Sequence, residues 1–174
     1  MKRFLLMIFF VVSSFFISAE EQGYIEGIKT YIVDIQINKN QTLSITETLD
    51  YYTNSTEKHG IFRDIPTTDI KSFLGINRIL LRNVDITRNG LPEPYRIQSF
   101  PEGIRYRIGS ADPYIDANNC YVIKYAVHNA IKDKDNVYHI YWNSIGQSWN
   151  FPIGSADINI HHENNATTSN DEMQ

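Results

Sequence analysis

From Thr30 to Asn38 every second residue is apolar. Tyr31, Val33, Ile35 and Ile37 fall on one side of an extended chain, and Asp34, Gln36 and Asn38 on the other. A period of two belongs to a half-buried β-strand, because successive side chains point to opposite faces of the pleat. The same period returns after the turn residues Asn38-Lys39-Asn40-Gln41. Over Thr42–Tyr52 it places Leu43, Ile45, Leu49 and Tyr51 inward and Thr42, Ser44, Thr46, Thr48 and Asp50 outward. Further short runs follow at Arg78–Thr87, Tyr95–Phe100, Gly103–Gly109, Asn119–His128, Val137–Asn143 and Ser155–Ile160, several bounded by turn dipeptides such as Asn89-Gly90. No window carries a sustained helical stripe. Seven to nine short strands with regular turns predict an all-β fold, an antiparallel β-sandwich, with a barrel as the second choice.

The two ends read differently from this body. Lys2 and Arg3 precede an apolar run from Phe4 to Ile17, small residues stand at Ser18 and Ala19, and polarity returns at Glu20. That is the layout of a secretory signal peptide over residues 1–19, cleaved after Ala19. The run is short of the roughly 20 residues that span a membrane, and an uncleaved anchor is the alternative. At the other end, residues 161–174 hold no apolar side chain larger than Ala before Met173, so they are expected to form a disordered polar tail. The folded domain is then residues 24–160. With 42% hydrophobic residues it can build one core.

Composition excludes several function classes. A net charge of −4 argues against a general nucleic-acid binder. A single cysteine, Cys120, excludes an intramolecular disulfide, a paired-cysteine zinc site and a thiol redox pair. His59, His128, His139, His161 and His162 show no recognised ligand spacing, so no metal and no cofactor are expected. Asp133-Lys-Asp-Asn136 lacks the glycine and distal glutamate of a calcium loop and reads as a solvated turn. No nucleophile elbow and no glycine-rich phosphate loop is present. No catalytic residue is assigned, and the binding residues are unknown.

Two features stand out against the strand pattern. Glu47 shares the inward face of Leu43, Ile45, Leu49 and Tyr51, where an unpaired carboxylate would cost several kcal/mol. Arg63 is its candidate partner, since Ile61, Arg63 and Ile65 share one face of His59-Gly-Ile-Phe-Arg-Asp-Ile-Pro66. A buried structural ion pair is the first reading of Glu47 and Arg63; a ligand-binding or catalytic carboxylate is the second. Trp142 and Trp149 bracket Asn143–Ser148 and stand beside Phe151. They form either an aromatic surface for sugar or part of the core.

The order of these segments resembles a known family. Tyr31-Ile-Val-Asp-Ile-Gln-Ile37, Leu43-Ser-Ile-Thr-Glu-Thr48, His59–Pro66, Val84–Gly90, Tyr141-Trp-Asn143 and Trp149-Asn-Phe-Pro-Ile153 together are similar to the N-terminal domain of the DUF2207 family of predicted bacterial membrane proteins. The resemblance covers residues 24–160. It implies an extracytoplasmic β-sandwich of unestablished biochemical role and offers no catalytic residues. Family members continue into transmembrane helices, whereas this sequence ends at Gln174 after a polar stretch.

The sequence therefore leads to an exported, non-enzymatic β-sandwich that binds a partner at the bacterial cell envelope. The expected partner is an envelope protein or a glycan, not nucleic acid. Membrane association, through a related membrane protein or an uncleaved N-terminal segment, is the alternative to a free exported module. One alternative is an envelope glycan or peptidoglycan hydrolase using the paired carboxylates Glu47 and Asp64. Another is a truncated fragment of a larger membrane protein. A sandwich edge strand could pair with a second chain, but nothing in the sequence selects that edge.

Overall fold

The computed structural model describes residues 26–69, 77–134 and 137–162. The signal segment and the tail beyond His162 lie outside the described residues. The chain runs β1 (Glu26–Ile37), β2 (Leu43–Thr53), β3 (Gly60–Pro66), β4 (Thr68–Asp69), β5 (Asn77–Arg78), β6 (Leu80–Arg88), β7 (Leu91–Pro92), β8 (Tyr95–Phe100), β9 (Gly103–Gly109), β10 (Asn118–His128), β11 (Ile131–Lys134), β12 (Val137–Ile140) and β13 (Ile153–His162). Eight of these have six residues or more. The rest are two- to four-residue pieces too short for alternation to reveal.

The protein is all-β among the described residues. A six-stranded sheet in the order β13-β1-β2-β10-β6-β7 is overlaid by a three-stranded sheet in the order β3-β9-β8. Two small pairs, β4-β5 and β11-β12, stand apart. The core lies between the two main layers. The larger sheet supplies Tyr31, Val33, Ile35, Leu43, Ile45, Leu49, Tyr51, Tyr121, Ile123, Tyr125 and Val127; the smaller supplies Ile61, Ile65, Tyr106 and Ile108. Alternation places these side chains, since β2 and β10 bury every second residue along their length.

Local chemistry sets the turns. Asn89 and Gly90 both take positive φ, 52° and 81°, as a two-residue turn between β6 and β7 requires. After β1, the Asn40 side chain accepts hydrogen bonds from Thr42 N and Oγ1, which closes the loop into β2.

Two regions depart from the expected pattern. β13 pairs with β1 in parallel, although the other strand pairs are antiparallel. Its Ala156, Ile158 and Ile160 face the core side yet remain exposed, because the small sheet does not reach over this edge. β13 also continues through His161 and His162 into the stretch expected to be tail. Val137–Asn143 ends as a strand at Ile140, with Tyr138 and Ile140 exposed on a two-stranded hairpin.

Candidate functional site

Between the layers lies a cluster of charge. Glu47 of β2 stands opposite Val33 of β1 and Ile123 of β10. Its diagonal neighbours on the same face are Tyr31 and Tyr125, one from each flanking strand. From the covering sheet, β3 lowers Arg63 onto them. Arg63 Nε donates to Glu47 Oε2 at 2.8 Å and Nη2 to Oε1 at 2.7 Å, a bidentate pair. Tyr31 Oη–H donates to Oε2 at 2.7 Å, and Tyr125 Oη–H makes a short hydrogen bond to Oε1. Four donors occupy the two carboxylate oxygens, which is about the full acceptor capacity of the group. Glu47 is 0% exposed and Arg63 1%.

The arginine is finished by backbone. Nη1 donates to Asp64 O at 2.7 Å and Nη2 to Ser144 O at 3.3 Å. Burial opposes the charge on Arg63, but the attraction and hydrogen bonds of Glu47 outweigh it and hold the pKa above the ordinary arginine value. Burial also raises the hydroxyl pKa of Tyr31 and of Tyr125, and the negative charge of Glu47 raises both further. Both tyrosines therefore stay protonated donors.

Residues 141–152 close the cluster from the side. Trp149 packs edge-on against Tyr31 at 5.8 Å, and its ring stands 5.7 Å from the Arg63 guanidinium carbon. Trp142 packs on Tyr125 at 6.0 Å. Trp149 Nε1 donates to Ile145 O, whereas Trp142 Nε1 is buried without a partner. Both tryptophans are partly buried against the core, where their faces shield the ion pair from water. At Gly146, with φ of 80°, a Cβ would collide with Arg63 Nη1. Asn143 Oδ1 accepts from Gly146 N at 2.9 Å and holds that close approach.

Asp64, the next residue along, points the opposite way. On the outer face of the small sheet it takes a bidentate pair with Arg105 at 2.6 and 2.7 Å, and Arg105 stands over the Phe62 ring. Glu47 and Asp64 thus lie on opposite faces of β3, each held by its own arginine.

A cleft of about 290 Å³ opens at the end of the small sheet, lined in part by Glu26, Lys58, His59, Arg107, Asn150 and Phe151. Lys58 pairs with Glu26 at 2.7 Å, and Glu26 accepts from Tyr51 Oη. His59 lies against Tyr114, and its Nδ1 is buried without a partner. His59 lies in the loop before β3, and one histidine beside polar residues carries no pattern in the sequence. Cys120 is exposed. Among the described residues, no three His, Cys, Asp or Glu side chains gather in a way that could hold a metal ion. No helix there is long and apolar enough to cross a membrane.

The family described as "Predicted membrane protein (DUF2207) N-terminal domain" matches residues 27–173. The uncharacterized protein YciQ of Escherichia coli K12 is 24% identical over 149 residues, which cover 84% of this chain and 24% of that protein. The chain spans about a quarter of the length of this curated relative. Among solved structures, native yeast LTA4 hydrolase aligns at 12% identity and a TM-score of 0.42, over 59% of this chain and 14% of that one. The same yeast enzyme bound to bestatin aligns equally. That likeness is too slight to carry fold or activity across.

Proposed function

The chain belongs to the DUF2207 family of predicted membrane proteins, and from that premise we propose that its β-sandwich is an exported, non-enzymatic binding module at the bacterial cell envelope. The observation that carries this reading is the state of Glu47. The carboxylate most deeply buried among the described residues has its acceptor sites filled by Arg63, Tyr31 and Tyr125, against which Trp142 and Trp149 pack. A general acid or base must reach a substrate proton within hydrogen-bond distance. Glu47 has its acceptor sites filled and is 0% exposed, which supports a structural role, fixing the register of one sheet over the other.

The hydrolase alternative needs two carboxylates flanking one bond, roughly 5–10 Å apart. Asp64 faces away from the core and is engaged by Arg105, which speaks for the binding module. The signal-peptide layout of residues 1–19 supports export, and the family supports work at a membrane.

Fractionation of producing cells, with intact mass and crosslinking in each fraction, tests the proposal. The expected product lies in the envelope or exported fraction, begins at Glu20 or remains anchored from Met1, and crosslinks to an envelope component. A product confined to the cytosol overturns export. Turnover of an envelope polysaccharide that is lost in a folded Glu47→Gln variant overturns the non-enzymatic reading.

A further inference from the structure

The two edges of the six-stranded sheet are finished differently. One ends in β7, two residues long, whose Pro92 has no N–H to offer. A short edge strand bearing proline is a common guard against pairing with another chain. The other edge is β13, ten residues without proline, lysine or arginine and exposed from Gly154 to His162. No strand among the described residues pairs with its far side. On its core face Ile158 and Ile160 are 43% and 53% exposed, and they extend the apolar surface beyond the covering sheet. Such an edge is a template for strand addition.

We propose that β13 is a homodimerisation edge, pairing antiparallel with β13 of a second copy about a two-fold axis at Asn159. The strand is self-complementary in that register. Ile158 faces Ile160 of the other copy twice, closing an apolar seam on the core side. On the opposite face Asp157 meets His161 twice, a carboxylate acceptor against an imidazole N–H donor. Asp34 of β1 already engages two side chains of that face within the chain, so Asp157 of the second copy would share His161 with it. Asn159 Nδ2 donates to Asp34 at 2.9 Å, and His161 Nε2 lies 3.8 Å from Asp34 Oδ1.

Neighbouring registers lose these matches. Centring on Ile158 sets Asp157 against Asn159 and Gly154 against His162. Centring on Ile160 sets Ile158 against His162. The Asn159 centre is the one of the three that sets Ile158 against Ile160 and Asp157 against His161 together, with Ala156 opposite His162 at each end of the seam. The result is one continuous twelve-stranded sheet made of two six-stranded halves. The contact is one strand wide, so it belongs to the small, weak class of interfaces, and it gains from confinement at a membrane.

Disulfide trapping of the purified full chain reads the register directly. Cys120 is exposed, so the parent carries Cys120→Ser. Single cysteines then replace Ile158, Asn159 and Ile160, and oxidation is followed by gel at rising protein concentration. Opposed Cα atoms in an antiparallel pair lie within disulfide reach. Asn159→Cys is expected to give a covalent dimer, and the flanking variants much less. Asp157→Cys and His161→Cys are expected to crosslink chiefly when mixed. Adding Asp157→Lys to Asn159→Cys is expected to slow trapping, and adding His161→Asp to that chain to restore it. Thermal melts equal to the parent's separate lost pairing from lost folding. No dimer from folded Asn159→Cys, faster trapping at 158 or 160, or failure of the restoring substitution each overturns the proposal.

Discussion

Arg63 and Asp64 are adjacent in the chain and make the same kind of bond in opposite surroundings. Each joins a bidentate arginine–carboxylate pair at 2.6–2.8 Å, Arg63 with Glu47 in the core and Asp64 with Arg105 at the surface. Alternation along β3 turns one inward and the other outward. Geometry is shared, so any difference in consequence comes from the medium. Inside, both charges have lost water and depend on each other. Outside, Asp64 is largely covered but Arg105 stays in water, so solvent and salt screen the pair. Equal bond lengths therefore say little about equal contributions, and the contrast can be measured.

The largest effect is expected at Arg63. Arg63→Met leaves Glu47 as an uncompensated charge and should lower unfolding stability by about 3–5 kcal/mol in chemical denaturation. Adding Glu47→Gln to that variant should recover part of the loss, since the buried charge goes with it. If Arg63→Met costs no more than a surface substitution, the inner pair is not what holds the two sheets in register.

Half of this cluster is legible in the sequence. Glu47 and Arg63 break apolar runs of period two, and a charged residue on a core face demands a partner of opposite sign. Tyr31 and Tyr125 carry no such mark. Either reads as another large apolar residue, and only the diagonal placement of β1 and β10 beside β2 turns their hydroxyls onto the carboxylate. Gly146 is equally silent, because its neighbour Arg63 lies far away along the chain. The strands themselves announce their faces through alternation, and Gly103–Gly109 and Tyr95–Phe100 match the structure to the residue. Pairing partners leave no such trace. Ile158 and Ile160 alternate like core residues, and nothing local shows that β13 sits in parallel at an edge where the second sheet does not reach. Trp142 and Trp149 admit both a sugar platform and a core role until the loop between them is seen folding over Arg63.

The tyrosines extend the comparison to pH. Burial and the charge of Glu47 make Tyr31 and Tyr125 hold protons that the unfolded chain releases near its ordinary value of about 10. Tyr106, pushed up to about 12 by burial and then by Tyr95, behaves alike. Above pH 10 the native state therefore binds more protons than the unfolded one. Stability is fully present below that pH and falls as pH rises, by about 1.4 kcal/mol per pH unit for each such tyrosine. Tyr125→Phe should cost about 1.5–3 kcal/mol at neutral pH, because Glu47 loses a donor. It should also make the alkaline fall shallower by one tyrosine's share. A parallel alkaline profile would mean that Tyr125 already titrates like an exposed phenol.

A smaller effect is expected at the wall of the inner pair. Gly146→Ala forces a side chain onto a left-handed backbone, at about 1–2 kcal/mol, and presses its Cβ on Arg63. Arg63 cannot swing away without breaking its bonds to Glu47, so the cost should shrink once Arg63 is already replaced by Met. That non-additivity is the measurement, and additive losses would show that the loop and the ion pair are independent.

The outer pair is expected to yield the least. Arg105 remains substantially exposed even while bound to Asp64. Asp64 raises the arginine's pKa by hydrogen bonding and charge, but that shift lies far above any working pH and leaves the protonation state of Arg105 unchanged. What Arg105→Gln removes is a screened attraction, partly replaced by water and by an amide that still donates to the carboxylate. The unfolding midpoint should stay at the parent's value within error, and molar salt should move parent and variant alike. A drop comparable to that of Arg63→Met would mean that the outer face of the small sheet is shielded from solvent, as it would be beneath a bound partner. The same variant therefore reports on whether that face is covered.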